Sequence, residues 1–103
     1  MNNKIFFLQF GYNEKDNVVI WIQILGSKFE AKNYHYRIEM EDAEYGSFIF
    51  KGPVRSIDDD KTMIFQDQLG FSAPSKVMEK YVQDELLTVE IVMEDLKSQK
   101  KTD

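Results

Sequence analysis

The run Asp58-Asp59-Asp60 is the first place where this sequence could do chemistry, because clustered carboxylate oxygens can hold calcium. Its spacing argues otherwise. A calcium loop alternates its ligands, turns on a central glycine and ends on a bidentate carboxylate, and none of these follows Asp58. A solvated turn beside Ser56 fits better, so no metal ligand and no cofactor is expected. His35, the single histidine, lies between Tyr34 and Tyr36 without the nucleophile motif that an imidazole base would serve. It reads as a surface residue, and no catalytic residue is expected. Gly11, Gly26, Gly46, Gly52 and Gly70 stand alone beside strand ends and form no phosphate-binding loop. Aromatic residues make up 14% of the chain, which raises the question of base stacking. Single-strand binders set their aromatics in a basic groove, whereas here the net charge is -5 and the cations are scattered. The aromatics are therefore assigned to a core, and nucleic acid is not an expected partner.

Composition sets further bounds. A chain of 103 residues fits one domain, which buries roughly two thirds of its unfolded surface. With 43% hydrophobic residues, most of it must fold. From Lys97 to Asp103 there is no apolar residue, so the expected domain is 4–96 with a disordered tail at 97–103. No stretch approaches the ~20 apolar residues of a membrane span, and the start of the chain lacks a signal peptide's apolar core. No membrane partner is expected, and the location reads as intracellular, cytoplasmic or nuclear. The lack of cysteine agrees with a reducing compartment. With no cysteine and one histidine, this sequence cannot build a zinc finger or a RING.

Strand signals dominate the pattern. Ile5 to Phe10 is an apolar run, residues 11–17 supply a turn, and Val18 to Leu25 is β-branched and aromatic, which predicts an antiparallel hairpin. Tyr34, Tyr36, Ile38 and Met40 alternate with His35, Arg37, Glu39 and Glu41, a strand with one wet face. Ser47 to Lys51 completes a second hairpin, which Gly52-Pro53 ends. Ser56-x-x-Asp59 has the form of a capping box for a short helical turn. Thr62 to Phe65 can extend that turn or form a brief strand, and Gln68 to Phe71 reads as a short strand. Pro74 suits a first helical turn, with Ser72 a candidate cap, and Val77, Met78, Tyr81 and Val82 share one face. One short helix near 74–83 is expected. Leu87, Val89, Ile91 and Met93 alternate with Thr88, Glu90 and Val92 as the last strand. The sum is an all-β, antiparallel sandwich.

The first hairpin carries large apolar side chains on both faces, which an exposed sheet face rarely tolerates. The cover is either a loop or helix of the same chain or a subunit. A short chain has little to spare, so Phe7, Phe10, Val19 and Trp21 are expected at a dimer interface.

One longer pattern spans these elements: Ile24-Leu25-Gly26, then Asn33-Tyr34-His35-Tyr36-Arg37-Ile38-Glu39-Met40, then Pro53-Val54-Arg55-Ser56-Ile57. In order and spacing it resembles the substrate-binding domain of the seven-in-absentia ubiquitin ligases, from about Ile5 to Val92. The resemblance implies a TRAF-like β-sandwich that dimerises and captures an extended partner segment by strand addition, with backbone hydrogen bonds giving affinity and side-chain pockets specificity. It implies a protein or peptide partner, a homodimer or a heterodimer with a related domain, and a place in the ubiquitin pathway. In that family the domain begins two strands earlier and follows a RING and zinc fingers. The family's last strand places on the Glu90 position an asparagine that contacts the bound peptide, and a carboxylate cannot donate its hydrogen bonds. Where the family has an arginine-rich hairpin, this chain has Glu41-Asp42-Ala43-Glu44, which changes the partners it attracts. Glu90, Thr88, Glu41 and Glu44 are therefore the candidate partner-binding residues. The expected function is a noncatalytic scaffold or adaptor. The alternative is the substrate-binding part of a RING-type E3 ubiquitin ligase whose catalytic part lies upstream.

Overall fold

The computed structural model describes residues 3–13 and 15–99. β1 (Phe6–Tyr12) and β2 (Asn17–Ile24) form the first antiparallel hairpin, with Leu8 opposite Ile22 and Phe10 opposite Ile20. Buried Asn13 holds its turn, its Oδ1 accepting from the backbone N–H groups of Lys15 and Asn17 at 3.0 Å each. Local bonding of this kind is what favours asparagine in turns. Ser27 then caps one helical turn, α1 (Lys28–Ala31), by accepting from the Glu30 N–H at 3.1 Å. β3 (Tyr34–Asp42) and β4 (Gly46–Pro53) make the second hairpin. After Pro53 the chain crosses back to the first sheet.

There β5 (Arg55–Ser56) and β6 (Phe71–Pro74) share the far side of β2. The first runs parallel at Gln23 and Ile24, the second antiparallel from Asn17 to Ile20. Between them lies α2 (Lys61–Gln66), and after them come α3 (Ser75–Glu79), a small hairpin of β7 (Val82–Gln83) and β8 (Leu86–Leu87), β9 (Glu90–Asp95) and α4 (Leu96–Gln99). β9 pairs with β3, giving the second sheet the order β4-β3-β9. The sheets face each other across Ile20, Ile22 and Ile24 of β2 and Tyr36, Ile38 and Met40 of β3, all buried. Each such side chain contributes roughly 1.5–3 kcal/mol through its burial. Phe48 and Phe71 close one side of the core with ring centroids 5.2 Å apart, edge to face. This is an all-β antiparallel sandwich, and none of the described helices is long and apolar enough to cross a membrane.

Several local expectations change. The helix expected near 74–83 covers only Ser75–Glu79, because Asp84 and Glu85 adopt left-handed backbone (φ 53 and 67) and fold the residues beside them into the β7–β8 hairpin. Ser72 is not its cap: it lies in β6, and its hydroxyl bonds Gln68 Oε1 at 2.8 Å. Asp59 Oδ2 does accept from the Ser56 N–H at 3.1 Å, but Ser56 Oγ accepts from the Asp58 N–H at 2.9 Å and the Asp59 N–H donates to the Ser56 carbonyl at 3.0 Å, so together they close a turn. The helix starts later, where Asp60 Oδ1 accepts from the Thr62 N–H at 2.9 Å. The acidic run thus serves backbone donors. The last strand begins at Glu90, not Leu87. The tail expected to be disordered from Lys97 starts inside α4, and residues 100–103 lie outside the described residues.

Candidate functional site

Period-two alternation sends His35, Arg37, Glu39 and Glu41 of β3 to the outer face of the second sheet, and the β9 register sets Glu90 beside Glu39 and Val92 beside Arg37. Glu39, Glu41, Thr88 and Glu90 together line a shallow cleft of about 250 Å³. Beside it stands the Arg37 guanidinium, among the described residues the one cation paired with these carboxylates, its Nη2 3.9 Å from Glu39 Oε1 and 4.0 Å from Glu90 Oε1. At these distances and exposures the pairs add little stability. Glu39 and Glu90 therefore share one guanidinium, and Glu90 projects into solvent with 69% of its side chain exposed. The cleft gathers three of the four expected partner-binding residues, Glu41, Thr88 and Glu90. The same alternation adds Glu39, which the sequence reading left out, although its parity with Glu41 was visible.

Glu44 does not join them. It sits in the β3–β4 turn, where Asp42 Oδ2 accepts from the backbone N–H groups of Glu44 at 2.8 Å and Tyr45 at 3.0 Å. These two bonds hold the Asp42 carboxyl below the usual carboxylate range, with Gln83 Nε2 adding a bond at 3.2 Å to its other oxygen.

On the inner side of β9 the chemistry inverts. Leu8 and Phe10 of β1 lie on the same face as Val18 and Ile20 of β2, yet they are 52% and 75% exposed. With Leu87, Val89 and Ile91 they line an apolar groove of about 290 Å³ between β1 and β9. Both strands are at the edges of their sheets, β1 pairing with β2 and β9 with β3.

The four residues expected at a dimer interface do not share one surface. Val19 and Trp21 are 0% and 4% exposed, because Ile64 and Phe65 of α2 pack over them, with the Trp21 and Phe65 rings 6.2 Å apart. The indole N–H donates to Gln23 Oε1 at 3.2 Å, and Gln23 Nε2 donates to the Ser56 carbonyl at 3.0 Å, so the polar atoms under the helix are satisfied. This corrects the expectation that the first hairpin has no cover within the chain. Thr62 to Phe65 alone leaves helix and brief strand equally open, and α2 is the helical alternative, capped by Asp60. Phe7 and Phe10 stay exposed but on opposite faces of β1, since Phe7 pairs with Gln23 and Phe10 with Ile20.

The sequence model of the Sina, TRAF-like domain matches residues 2–92. No curated protein matches the chain significantly.

Proposed function

Because the chain belongs to the Sina, TRAF-like domain family, we propose that it is a noncatalytic scaffold or adaptor that associates with another sandwich and captures a partner's extended segment by strand addition. The family is one of protein-interaction and substrate-binding domains. What supports strand addition here is one arrangement: β1 and β9 lie at sheet edges that, among the described residues, pair with no further strand, and the apolar groove runs between them. Unpaired edges offer backbone donors and acceptors in a row, and a groove beside them offers pockets for alternate side chains. Exposed Phe7, on the face of β1 away from the groove, is the apolar side chain of that strand left for association of two sandwiches.

Light scattering on the purified chain should report a mass above the 12.2 kDa of one copy. Selection from a library of displayed random peptides should return binders that protect the β1 and β9 edges from exchange. A monodisperse monomer that returns no binder rejects the reading.

A further inference from the structure

The apolar groove and the acidic cleft lie on opposite sides of one stretch of chain, the end of β8 and the start of β9 with Thr88 and Val89 between them. Leu87, Val89 and Ile91 face the groove, whereas Thr88 and Glu90 face the cleft with Glu39 and Glu41. A strand laid along the free edge of β9 must follow the same period, because side chains of neighbouring strands point the same way at the same level. Residues level with Val89 and Ile91 then enter the groove, and those level with Thr88 and Glu90 lie over the carboxylates.

We propose that the captured segment is an extended peptide with apolar and basic side chains in alternation, added to the edge of β9. The groove fixes the apolar positions, since Leu8, Phe10, Val89 and Ile91 offer no polar partner to a side chain buried among them. The cleft fixes the others. Arg37 is the one cation shared by Glu39 and Glu90, and among the described residues no cation lies within 4.0 Å of Glu41, so Lys or Arg on the incoming strand is attracted and Asp or Glu repelled. The same charges argue against a second copy of this chain at this edge. β9 against β9 sets Glu90 and Glu94 among like charges, and β1 brings no cation between Phe6 and Tyr12. This inference rests on the reading of the domain as one that captures strands.

The test uses the full chain, isotope-labelled, with peptides of about seven residues in which Ile alternates with Lys, with Ser or with Glu. Amides on one edge are methylated so that a peptide cannot pair with itself, and a fourth peptide has the Ile and Lys residues in two blocks. The Ile/Lys peptide should shift the amides of Thr88 to Val92 and bind about tenfold tighter than Ile/Ser, with Ile/Glu weaker still. Glu90→Lys should reverse the order of Ile/Lys and Ile/Glu, a swap that a purely structural role for Glu90 would not produce. Phe10→Ser, at a residue already exposed, should weaken all three alternating peptides. Equal or tighter binding of Ile/Ser or Ile/Glu at the same amides overturns the charge assignment and leaves strand capture standing. Equal binding of the block peptide reduces the effect to charge attraction and overturns the register. No binding by any peptide removes both this inference and the reading beneath it. Amide shifts at Thr88 to Val92 that depend on protein concentration alone would show a second copy on the edge, and overturn the proposal.

Discussion

Tyr36 places a phenol in the centre of the core, with its side chain almost wholly shielded from water. Burial pushes its pKa up to about 12, against smaller opposing effects of Arg55 and a hydrogen bond with the Phe71 backbone. The raised value means that the folded state holds the proton more tightly than the unfolded chain does. Its contribution is therefore complete below about pH 10 and is lost as the pH rises toward 12. Denaturant midpoints should be level up to about pH 9 and then fall, by at most ~1.4 kcal/mol per pH unit from this group. Tyr36→Phe should flatten that decline; an unchanged alkaline slope would place its origin elsewhere. Gly70 makes a second prediction at this scale. A Cβ there would lie 2.7 Å from the Ile20 carbonyl oxygen and 2.9 Å from the Trp21 Cβ, and a backbone atom cannot swing aside. Gly70→Ala should cost about 1–3 kcal/mol in urea unfolding, and a neutral result would show that the loop gives way.

At the scale of elements, α2 does the most for its size. Six residues cover the outer face of the first sheet because Ile64 and Phe65 sit over Val19 and Trp21. Ile64→Ala should destabilise by about 2–4 kcal/mol through transfer and cavity terms, and shift Trp21 fluorescence to the red as water reaches the indole. An unshifted spectrum with full stability would mean that the helix does not seal that face. The β3–β4 hairpin behaves in the opposite way. Glu41 and Glu44 are exposed, and the turn is tied by Asp42. Glu41→Lys with Glu44→Lys should leave the melting temperature within a few degrees while changing which charged peptides bind. A large thermal loss would show these glutamates to be structural.

For the whole molecule, the two sheets differ in protection along one axis. β2 and β3 are the central strands of their sheets, whereas β1, β4 and β9 lie at edges. Amide exchange should be slowest in β2 and β3 and fastest at the outward amides of β1 and β9, whose carbonyl partners are solvent. A bound strand should slow the outward amides of one edge selectively. Uniform slow exchange at both edges in the free protein would show that they are already covered.

The sandwich was legible in the sequence because a strand's signal is local: the alternation from Tyr34 to Met40 and the β-branched run at Val18 state their own geometry. The family pattern from Ile24 to Ile57 was legible for the same reason, since its residues are near neighbours along the chain. Short elements were not. Helix or strand at Thr62 to Phe65, and the early end of the helix after Pro74, depended on Asp60 as a cap and on the left-handed pair Asp84 and Glu85, where a few residues carry too little pattern to decide. What lies across from what was decided by the tertiary structure alone. Val19 and Trp21 looked like an interface until α2, more than 40 residues on, closed over them. Glu39, Glu41 and Glu90 became one cleft because the register of β9 on β3 brought together charges some 50 residues apart. Side-chain period is written in the chain one residue at a time, but the register between strands is chosen by the burial of Ile38 against Ile91, and that choice exists only once the sheets have met.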